Sequence, residues 1–198
     1  YEIGYRNHVD IEGKGPFYTC SPEFLKPFYE IKGDLQLGVM TDYKRYNAND
    51  FPNKSNDFID FVRIACHPDK IAESLNVAED LHKKGYKIFI QLMEIQNVGA
   101  DGYIELFQWK NKNILESLYF ADSYSALKPE DIEKYYNKLK TIGYEKLSFH
   151  AHNELGLALE NSLRAAELGC YTIDTTFNGI GRGGGNLKLQ ELLENLPC

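Results

Sequence analysis

Short apolar runs alternate with amphipathic segments along most of this 198-residue chain. Apolar runs of this length, bounded by turn residues, are typical of strands. Several of them lack clean polar–apolar alternation, which is expected of strands that are covered on both faces. We therefore predict seven strands, at Glu2–Tyr5, Leu35–Met40, Phe61–Cys66, Lys87–Met93, Leu118–Asp122, Lys146–His152 and Tyr171–Phe177.

The segments between the strands carry signals of helix ends. Gly85, Gly143 and Gly169 each close an amphipathic segment just before an apolar run. Glycine in this place adopts the left-handed conformation that ends a helix. Ser21-Pro22-Glu23 combines an N-cap residue, a proline at the first helical position and an acidic first turn. One predicted helix buries a face made of Ile71, Leu75, Ala78 and Leu81.

The alternation of strands and helices predicts an α/β fold. No Gly-x-Gly-x-x-Gly turn is present, which favours a (β/α)8 barrel (a TIM barrel) over an open doubly wound sheet, the structural alternative. A barrel needs eight strands, and the sequence opens on Tyr1 in what looks like the middle of a domain. We expect residues 1–198 to form one domain that carries strands two to eight, with strand one missing from the visible chain.

Composition narrows the classes of partner. The chain is 43% hydrophobic and carries 22 Lys and Arg against 29 Asp and Glu, a net charge of −7 with no basic cluster. Such a chain can bury a sizeable core, but it offers no positive surface for nucleic acid or an anionic membrane. The four cysteines form no C-x-x-C pair, and no apolar run reaches the length of a membrane span. We expect reduced thiols and a cytoplasmic location.

The strongest candidate for chemistry is His150-Ala151-His152, at the end of a predicted strand. Side chains two residues apart on a strand point to the same face, so we expect the imidazoles to lie side by side. In a barrel the active site lies at this end of the strands. Neutral imidazole is a good ligand for a divalent cation, and a cation relieves the cost of burying two polar rings. A pair of ordinary core histidines is the alternative.

The second candidate is the segment from Asn178 to Asn186, which holds five glycines in seven residues. Glycines let a backbone approach a ligand closely or let a loop close over one. The side-chain oxygen of Asn186 could ligate a metal, and a plain N-cap of the last helix is the alternative. A phosphate cradle is a further alternative, although the segment lacks the Gly-Lys-Ser/Thr ending of a P-loop.

These two stretches carry a family resemblance. The run Phe149–Ala158, which contains the histidine pair, resembles the seventh strand and helix of the DRE-TIM metallolyases. This superfamily includes 4-hydroxy-2-oxovalerate aldolase, hydroxymethylglutaryl-CoA lyase, and the isopropylmalate and homocitrate synthases. The glycine segment that ends at Asn186 resembles their loop after strand eight. Glu2-Ile3-Gly4 is similar to their strand two, and Ala121-Asp122-Ser123 sits where they carry Asp-Thr on strand six.

The resemblance implies a divalent metal held by His150, His152 and Asn186. Mn²⁺ or Mg²⁺ suits two imidazoles with oxygen ligands, and Zn²⁺ is the alternative. The superfamily also uses an Asp ligand and a catalytic Arg on strand one, which we expect to precede Tyr1.

Four further residues are candidates for the reaction. Glu2 and Asp122 are predicted to be catalytic, with a structural ionic role as the alternative for each. Asn178 and Tyr5 follow or end predicted strands and are predicted to bind substrate. His8 follows the first strand, where we expect a surface position.

The resemblance further implies a metal-dependent carbon–carbon lyase, an aldolase that acts on a small 2-oxo acid such as a 4-hydroxy-2-oxo acid. One alternative is a Claisen-type synthase that joins an acyl-CoA to a 2-oxo acid. The other is a degenerate barrel that serves as a binding or scaffold module. The protein could also form a homo-oligomer or carry a further C-terminal domain, and the sequence does not decide between these alternatives.

Overall fold

The computed structural model describes residues 1–7 and 12–196, so the prediction for His8 lies outside the described residues. These residues form two compact units. The first unit comprises residues 1–66, 70–91 and 109–116, and the second comprises residues 67–69, 92–108 and 117–198. The interpretation of the chain as one domain stays a prediction.

Strands and helices alternate along the chain. The strands are β1 (Glu2–Tyr5), β2 (Gly38–Asp42), β3 (Phe61–Cys66), β4 (Lys87–Leu92), β5 (Leu115–Asp122), β6 (Leu147–Ala151) and β7 (Thr172–Ile173). The α-helices are α1 (Pro22–Ile31), α2 (Ile71–Lys83), α3 (Ala100–Gln108), α4 (Pro129–Thr141), α5 (Ala158–Glu167) and α6 (Leu189–Asn195). Among the described residues, none of these helices has the length and apolar character of a membrane span.

In the first unit, β1 pairs in parallel with β2, and β2 pairs in parallel with β3. The register of the second pair is regular and runs from Gly38 opposite Phe61 to Asp42 opposite Ala65. A side chain at Gly38 would overlap the Phe61 ring, so this close approach requires glycine. The predicted inner face of α2 is fully buried or nearly so. Buried apolar side chains of α2, β3 and β4 belong to the core of the first unit.

In the second unit, β6 lies between β5 and β7 and pairs in parallel with both. Phe120 and Phe149 are fully buried neighbours on β5 and β6, with ring centroids 5.1 Å apart. The hydroxyls of Ser117 and Ser148 form a buried hydrogen bond of 2.7 Å on the same pair of strands. These two buried hydroxyls therefore satisfy each other across the strands.

The strand order follows the sequence, from β1 to β7, with helices between parallel strands. This is the order of a partial (β/α)8 barrel, so the predicted fold class is confirmed. The predicted helix ends are confirmed as well: Gly85, Gly143 and Gly169 have φ of 92°, 93° and 86°. The hydroxyl of Ser21 accepts a hydrogen bond from the amide of Phe24, as predicted for an N-cap.

Several predicted boundaries differ from the structure, among them the start of the fifth strand, which lies at Leu115 and not at Leu118. The second strand begins at Gly38 and not at Leu35, because the amide of Leu37 turns aside to the carboxylate of Asp60. The strand predicted at Tyr171–Phe177 has only two residues in the ladder, Thr172 and Ile173. The last helix begins at Leu189 with Lys188 at its N-cap, so the alternative in which Asn186 is the N-cap of this helix is wrong.

A buried polar network links the loop after β1 to the loop before β3 in the first unit. The Arg6 guanidinium pairs with the Asp57 carboxylate, whose side chain is 0% exposed. The hydroxyl of Tyr86 donates to the same carboxylate at 2.6 Å. Burial alone would raise the pKa of Asp57, but the bonds from Arg6 and then Tyr86 outweigh it and hold this pKa below its ordinary value.

We predict that Asp57→Asn destabilises the protein by roughly 3–5 kcal/mol, because it leaves the buried Arg6 charge without its partner. The folded pKa of Asp57 is depressed, so its contribution is present above the unfolded value of about 4 and is lost as pH falls through the folded value. Urea unfolding of both proteins from pH 7 to pH 2 should therefore give curves that converge in acid. Glu30→Gln, on an exposed pair with Lys26, is the control; a constant gap between wild type and Asp57→Asn at all pH values would contradict the prediction.

Candidate metal centre

The two histidines at the end of β6 lie side by side. Their ring centroids are 5.1 Å apart and the ring planes are inclined by 77°. His150 is half-buried and His152 is 8% exposed. The two-residue spacing has therefore placed both imidazoles on one face of the strand, as expected from the alternation of side chains.

The imidazole of His150 is held by Asp174, a residue that the sequence interpretation missed. Nδ1 of His150 lies 2.9 Å from Oδ2 of Asp174. Phe149 stands opposite Ile173 in the register of β6 and β7, so the next residue on each strand comes to the same level. A carboxylate just after a neighbouring parallel strand was the signal that could have identified Asp174.

The glycine segment folds back along the end of β6. The backbone of Asn186 forms an antiparallel bridge with His152, and the amide of Asn153 donates to the carbonyl of Gly185 at 2.9 Å. Nδ2 of Asn186 donates to the carbonyl of Ile180 at 3.3 Å, which directs Oδ1 of the amide away from that contact. The structure thus brings His152 and Asn186 together from positions 34 residues apart in the sequence.

Two glycines of this segment leave no room for side chains. A Cβ at Gly184 would lie 2.5 Å from Cα of Glu154, on the turn after β6. A Cβ at Gly181 would lie 2.6 Å from Oδ1 and 2.7 Å from Cγ of Asn186. The glycines are therefore needed for the close packing of the segment against β6 and for the position of the Asn186 amide.

Two atoms that could ligate a metal are buried at the end of β6 without hydrogen-bond partners. Nδ1 of His152 and Oδ1 of Asn186 are both inaccessible, and neither makes a hydrogen bond within the described part of the chain. Buried polar atoms normally find a partner. Burial first, and then the neighbouring His150, lower the pKa of His152 below the ordinary histidine value, so its ring is neutral and keeps a lone pair at neutral pH.

The residues present fit a divalent cation with nitrogen and amide-oxygen ligands. The candidate ligands are the imidazoles of His150 and His152 and the side-chain oxygen of Asn186. Within residues 1–7 and 12–196, no three His, Cys, Asp or Glu side chains are grouped as a metal site. A carboxylate ligand such as the one expected on strand one is therefore not supplied by the described residues.

The turn after β5 supports the backbone of the histidine pair. Oγ of Ser125 donates to the carbonyl of His152 at 2.6 Å, and Ser125 itself has a left-handed φ of 55°. The carboxylate of Asp122 accepts from the amides of Ala126 and Leu127 at 2.9 and 3.2 Å. Burial raises the pKa of Asp122, although the two amide bonds act against it.

The other predicted residues are described within their own units. Asn178 belongs to the same unit, is exposed, has a φ of 56° and accepts a 3.4 Å bond from Gln190. Glu2 and Tyr5 belong to the first unit. Glu2 forms a bidentate pair with Arg63, at 2.6 and 2.8 Å.

The ring of Tyr5 lies 5.1 Å from the guanidinium carbon of Arg45, which is anchored on Asp42. Sequence reasoning identified neither Arg63 nor Arg45, because each pairs with a residue on another strand or turn. The roles of Glu2, Tyr5, Asp122 and Asn178 remain predictions.

Comparison with known proteins gives the family. The HMGL-like family model matches residues 51–197. An oxaloacetate decarboxylase from Mycobacterium tuberculosis is 28% identical over 198 residues, 98% of this chain and 58% of that protein. A 4-hydroxy-2-oxovalerate aldolase from Carboxydothermus hydrogenoformans is 28% identical over 174 residues, 86% of this chain and 51% of that protein. Among solved structures, the N-terminal domain of an aldolase candidate from Bacteroides vulgatus aligns with a TM-score of 0.86 at 26% identity, covering 98% of this chain and 65% of that one.

The fold and the comparisons thus define a (β/α)-barrel protein of a family of lyases and synthases. The chain belongs to the HMGL-like family, whose model covers well over half of it. The resemblance to the DRE-TIM metallolyases is confirmed by these matches. The chain spans about half the length of the two curated relatives described above.

We predict that Gly181→Ala weakens Mn²⁺ binding by about 10-fold or more while the fold is kept. The added methyl group displaces the Asn186 amide, whereas the backbone at Gly181 does not have the positive φ that requires glycine. A shift of one group beside a metal commonly costs 10–100-fold in affinity. Electron paramagnetic resonance of free Mn²⁺ measures the affinity.

Gly99→Ala is the matched control, because a Cβ at Gly99 meets nothing within 4 Å among the described residues. Equal Mn²⁺ affinity of wild type, Gly181→Ala and Gly99→Ala would contradict a role for Asn186 in binding the metal.

Proposed function

We propose that this chain is the catalytic part of a divalent-metal-dependent carbon–carbon lyase that cleaves a 2-oxo acid, with 4-hydroxy-2-oxo acids as the first candidates. The observation that carries the proposal is the pair of adjacent imidazoles at the end of β6, together with Asn186, whose backbone is bridged to that of His152 and whose buried side-chain oxygen has no hydrogen-bond partner among the described residues. Membership of the HMGL-like family supports it.

In this proposal His150, His152 and Asn186 hold the cation. Mn²⁺ or Mg²⁺ is the first choice for imidazoles combined with oxygen ligands, and Zn²⁺ is the second. The cation, when bound, supplies Lewis-acid stabilisation of the negative charge that develops on the substrate during bond cleavage. The protein contributes ring nitrogens: the contact of Asp174 with Nδ1 of His150 leaves Nε2 for the cation, and burial lowers the pKa of His152, which favours its neutral form.

The substrate class follows from chemistry that the relatives share. Both curated relatives carry names of enzymes that act on 2-oxo acids, oxaloacetate and 4-hydroxy-2-oxovalerate. In an aldol cleavage the C3–C4 bond breaks, the 4-hydroxyl loses its proton to become an aldehyde carbonyl, and C3 gains a proton to give pyruvate. Asn178 and Tyr5 are proposed to contact the substrate, and both present polar groups at or beyond strand ends.

Glu2 and Asp122 are proposed to serve the reaction by holding other groups in place. Glu2 orients Arg63 through two short hydrogen bonds. Asp122 fixes the turn that carries Ser125, and Ser125 in turn binds the carbonyl of His152. Neither carboxylate needs to move a proton for this role.

A Claisen-type synthase is the enzymatic alternative, and the charges near the glycine segment do not favour it. An acyl-CoA carries several negatively charged phosphates, which a basic surface would bind. Lys188 is already paired with Glu191 at 2.7 Å, which leaves Arg182 as the exposed cation of that segment. Decarboxylation of a 2-oxo diacid is the second lyase candidate, because the decarboxylase relative aligns with 98% of this chain.

One set of assays separates these functions. The full-length protein with Mn²⁺ is incubated with 4-hydroxy-2-oxo acids of increasing chain length and with oxaloacetate, against enzyme-free blanks, and pyruvate release is followed. Acetyl-CoA with 2-oxo acids is followed for free thiol. We expect metal-dependent pyruvate release from a 4-hydroxy-2-oxo acid. Thiol release without pyruvate would establish the synthase, and no reaction in any assay would support the binding or scaffold module.

We predict that His152→Ala lowers Mn²⁺ affinity by at least about 100-fold, the upper end of what changes outside the ligand set cost. The fold should persist, because the carbonyl of His152 remains available to Ser125. Metal content is measured by elemental analysis after gel filtration, and the fold by circular dichroism. His82→Ala, an exposed histidine on α2, is the control; equal metal in both variants would exclude the histidine pair as ligands.

A further inference from the structure

We propose that Asp174 is a positioning residue for His150: it fixes the tautomer and orientation of this imidazole so that Nε2 faces the cation. This inference rests on the proposed function, since it assigns a role within the same site. It adds a residue that neither the histidine motif nor the glycine segment contains.

The geometry of the pair is set by the sheet. Phe149 of β6 and Ile173 of β7 are partners in the register of the sheet. His150 follows Phe149, and Asp174 follows Ile173, so the two residues come next to each other. The amide of Asp174 donates to the carbonyl of Phe149 at 3.0 Å. The side chains are only 14% and 19% exposed. Both backbones are therefore anchored, and the 2.9 Å contact between Nδ1 and Oδ2 does not depend on flexible surface side chains.

The chemistry of the contact determines the tautomer. An ionised carboxylate can only accept hydrogen bonds, so Nδ1 of His150 must carry the proton that lies between the two groups. In the neutral ring the lone pair is then on Nε2. Carboxylates that bind the far nitrogen of a metal-ligating histidine act in this way: they fix the ring and raise its basicity as a ligand.

The contacts of His152 differ from those of His150. Its ring nitrogen Nδ1 is buried and has no hydrogen-bond partner among the described residues. Its backbone carbonyl accepts from Ser125 at 2.6 Å. Nδ1 of His150 thus has a carboxylate partner, whereas Nδ1 of His152 has no partner among the described residues. Removal of the Asp174 carboxylate should therefore remove the ring contact of His150 and leave the bond from Ser125 to the His152 carbonyl in place.

The experiment uses the full-length protein in three forms: wild type, Asp174→Ala and Asp174→Asn. Glu133→Ala is the matched control, because it removes a carboxylate from a partly exposed pair with Arg164 in the same unit. Long-range ¹H–¹⁵N spectra of metal-free protein report the His150 tautomer, at a pH roughly two units above the ordinary histidine pKa of about 6.5. Mn²⁺ affinity is measured by electron paramagnetic resonance.

We expect the Nδ1–H tautomer for His150 in wild type and its loss in Asp174→Ala, with Mn²⁺ binding weakened by about 10–100-fold. Asparagine keeps an acceptor oxygen, so Asp174→Asn should recover the tautomer and most of the affinity. A purely structural pair would not predict this recovery together with an unchanged affinity in Glu133→Ala. Wild-type affinity in a folded Asp174→Ala protein, or an Nε2–H tautomer in wild type, would overturn the inference.

The same data separate this inference from the proposed function. Wild-type protein that binds Mn²⁺ but releases no pyruvate overturns the lyase assignment, while the tautomer and the affinity still decide the role of Asp174. Wild-type protein that binds no Mn²⁺ overturns both.

Discussion

Backbone hydrogen bonding in a parallel sheet fixes which residues stand side by side, and the register of β6 against its two neighbours sets the candidate metal centre. This register places Ala121 opposite His150 and Phe149 opposite Ile173. It therefore brings the turn after β5 and the carboxylate after β7 to the level of the two histidines. A slip of one residue would turn the imidazoles to the other face of the sheet.

The register also explains which features could be predicted from the sequence. Strands β1 and β3 were predicted with the right ends, because each is a short run that stops just before polar or turn-forming residues. The histidine pair could be predicted because the signal lies within three consecutive residues. Two side chains that are two residues apart on a strand point to the same face of the sheet. The glycine segment was found because five glycines in seven residues are unusual in any folded element.

Features that depend on distant partners could not be predicted in the same way. Asp174 lies 24 residues after His150, and its role depends on strand register, which no local pattern contains. The ion pair of Glu2 with Arg63 spans 61 residues. The start of β2 was misplaced for the same reason, because the carboxylate of Asp60 captures the amide of Leu37 before the ladder begins. Local patterns thus predicted the elements and the ligand candidates, whereas side-chain partners came from the structure.

The isolated bridge between His152 and Asn186 has a consequence for motion. The glycine segment is joined to the end of β6 by a bridge, by the amide bond from Asn153 to Gly185 and by backbone contacts of Arg182 and Gly184 with the side chains of His152 and Glu154, and not by a continuous ladder. Segments held by few backbone bonds open at low free-energy cost. A cation bound by both His152 and Asn186 would act as a cross-link between the sheet and this segment. Metal occupancy and amide hydrogen exchange of the segment would then report the same opening event, and the opening would serve as the route by which the ion enters and leaves.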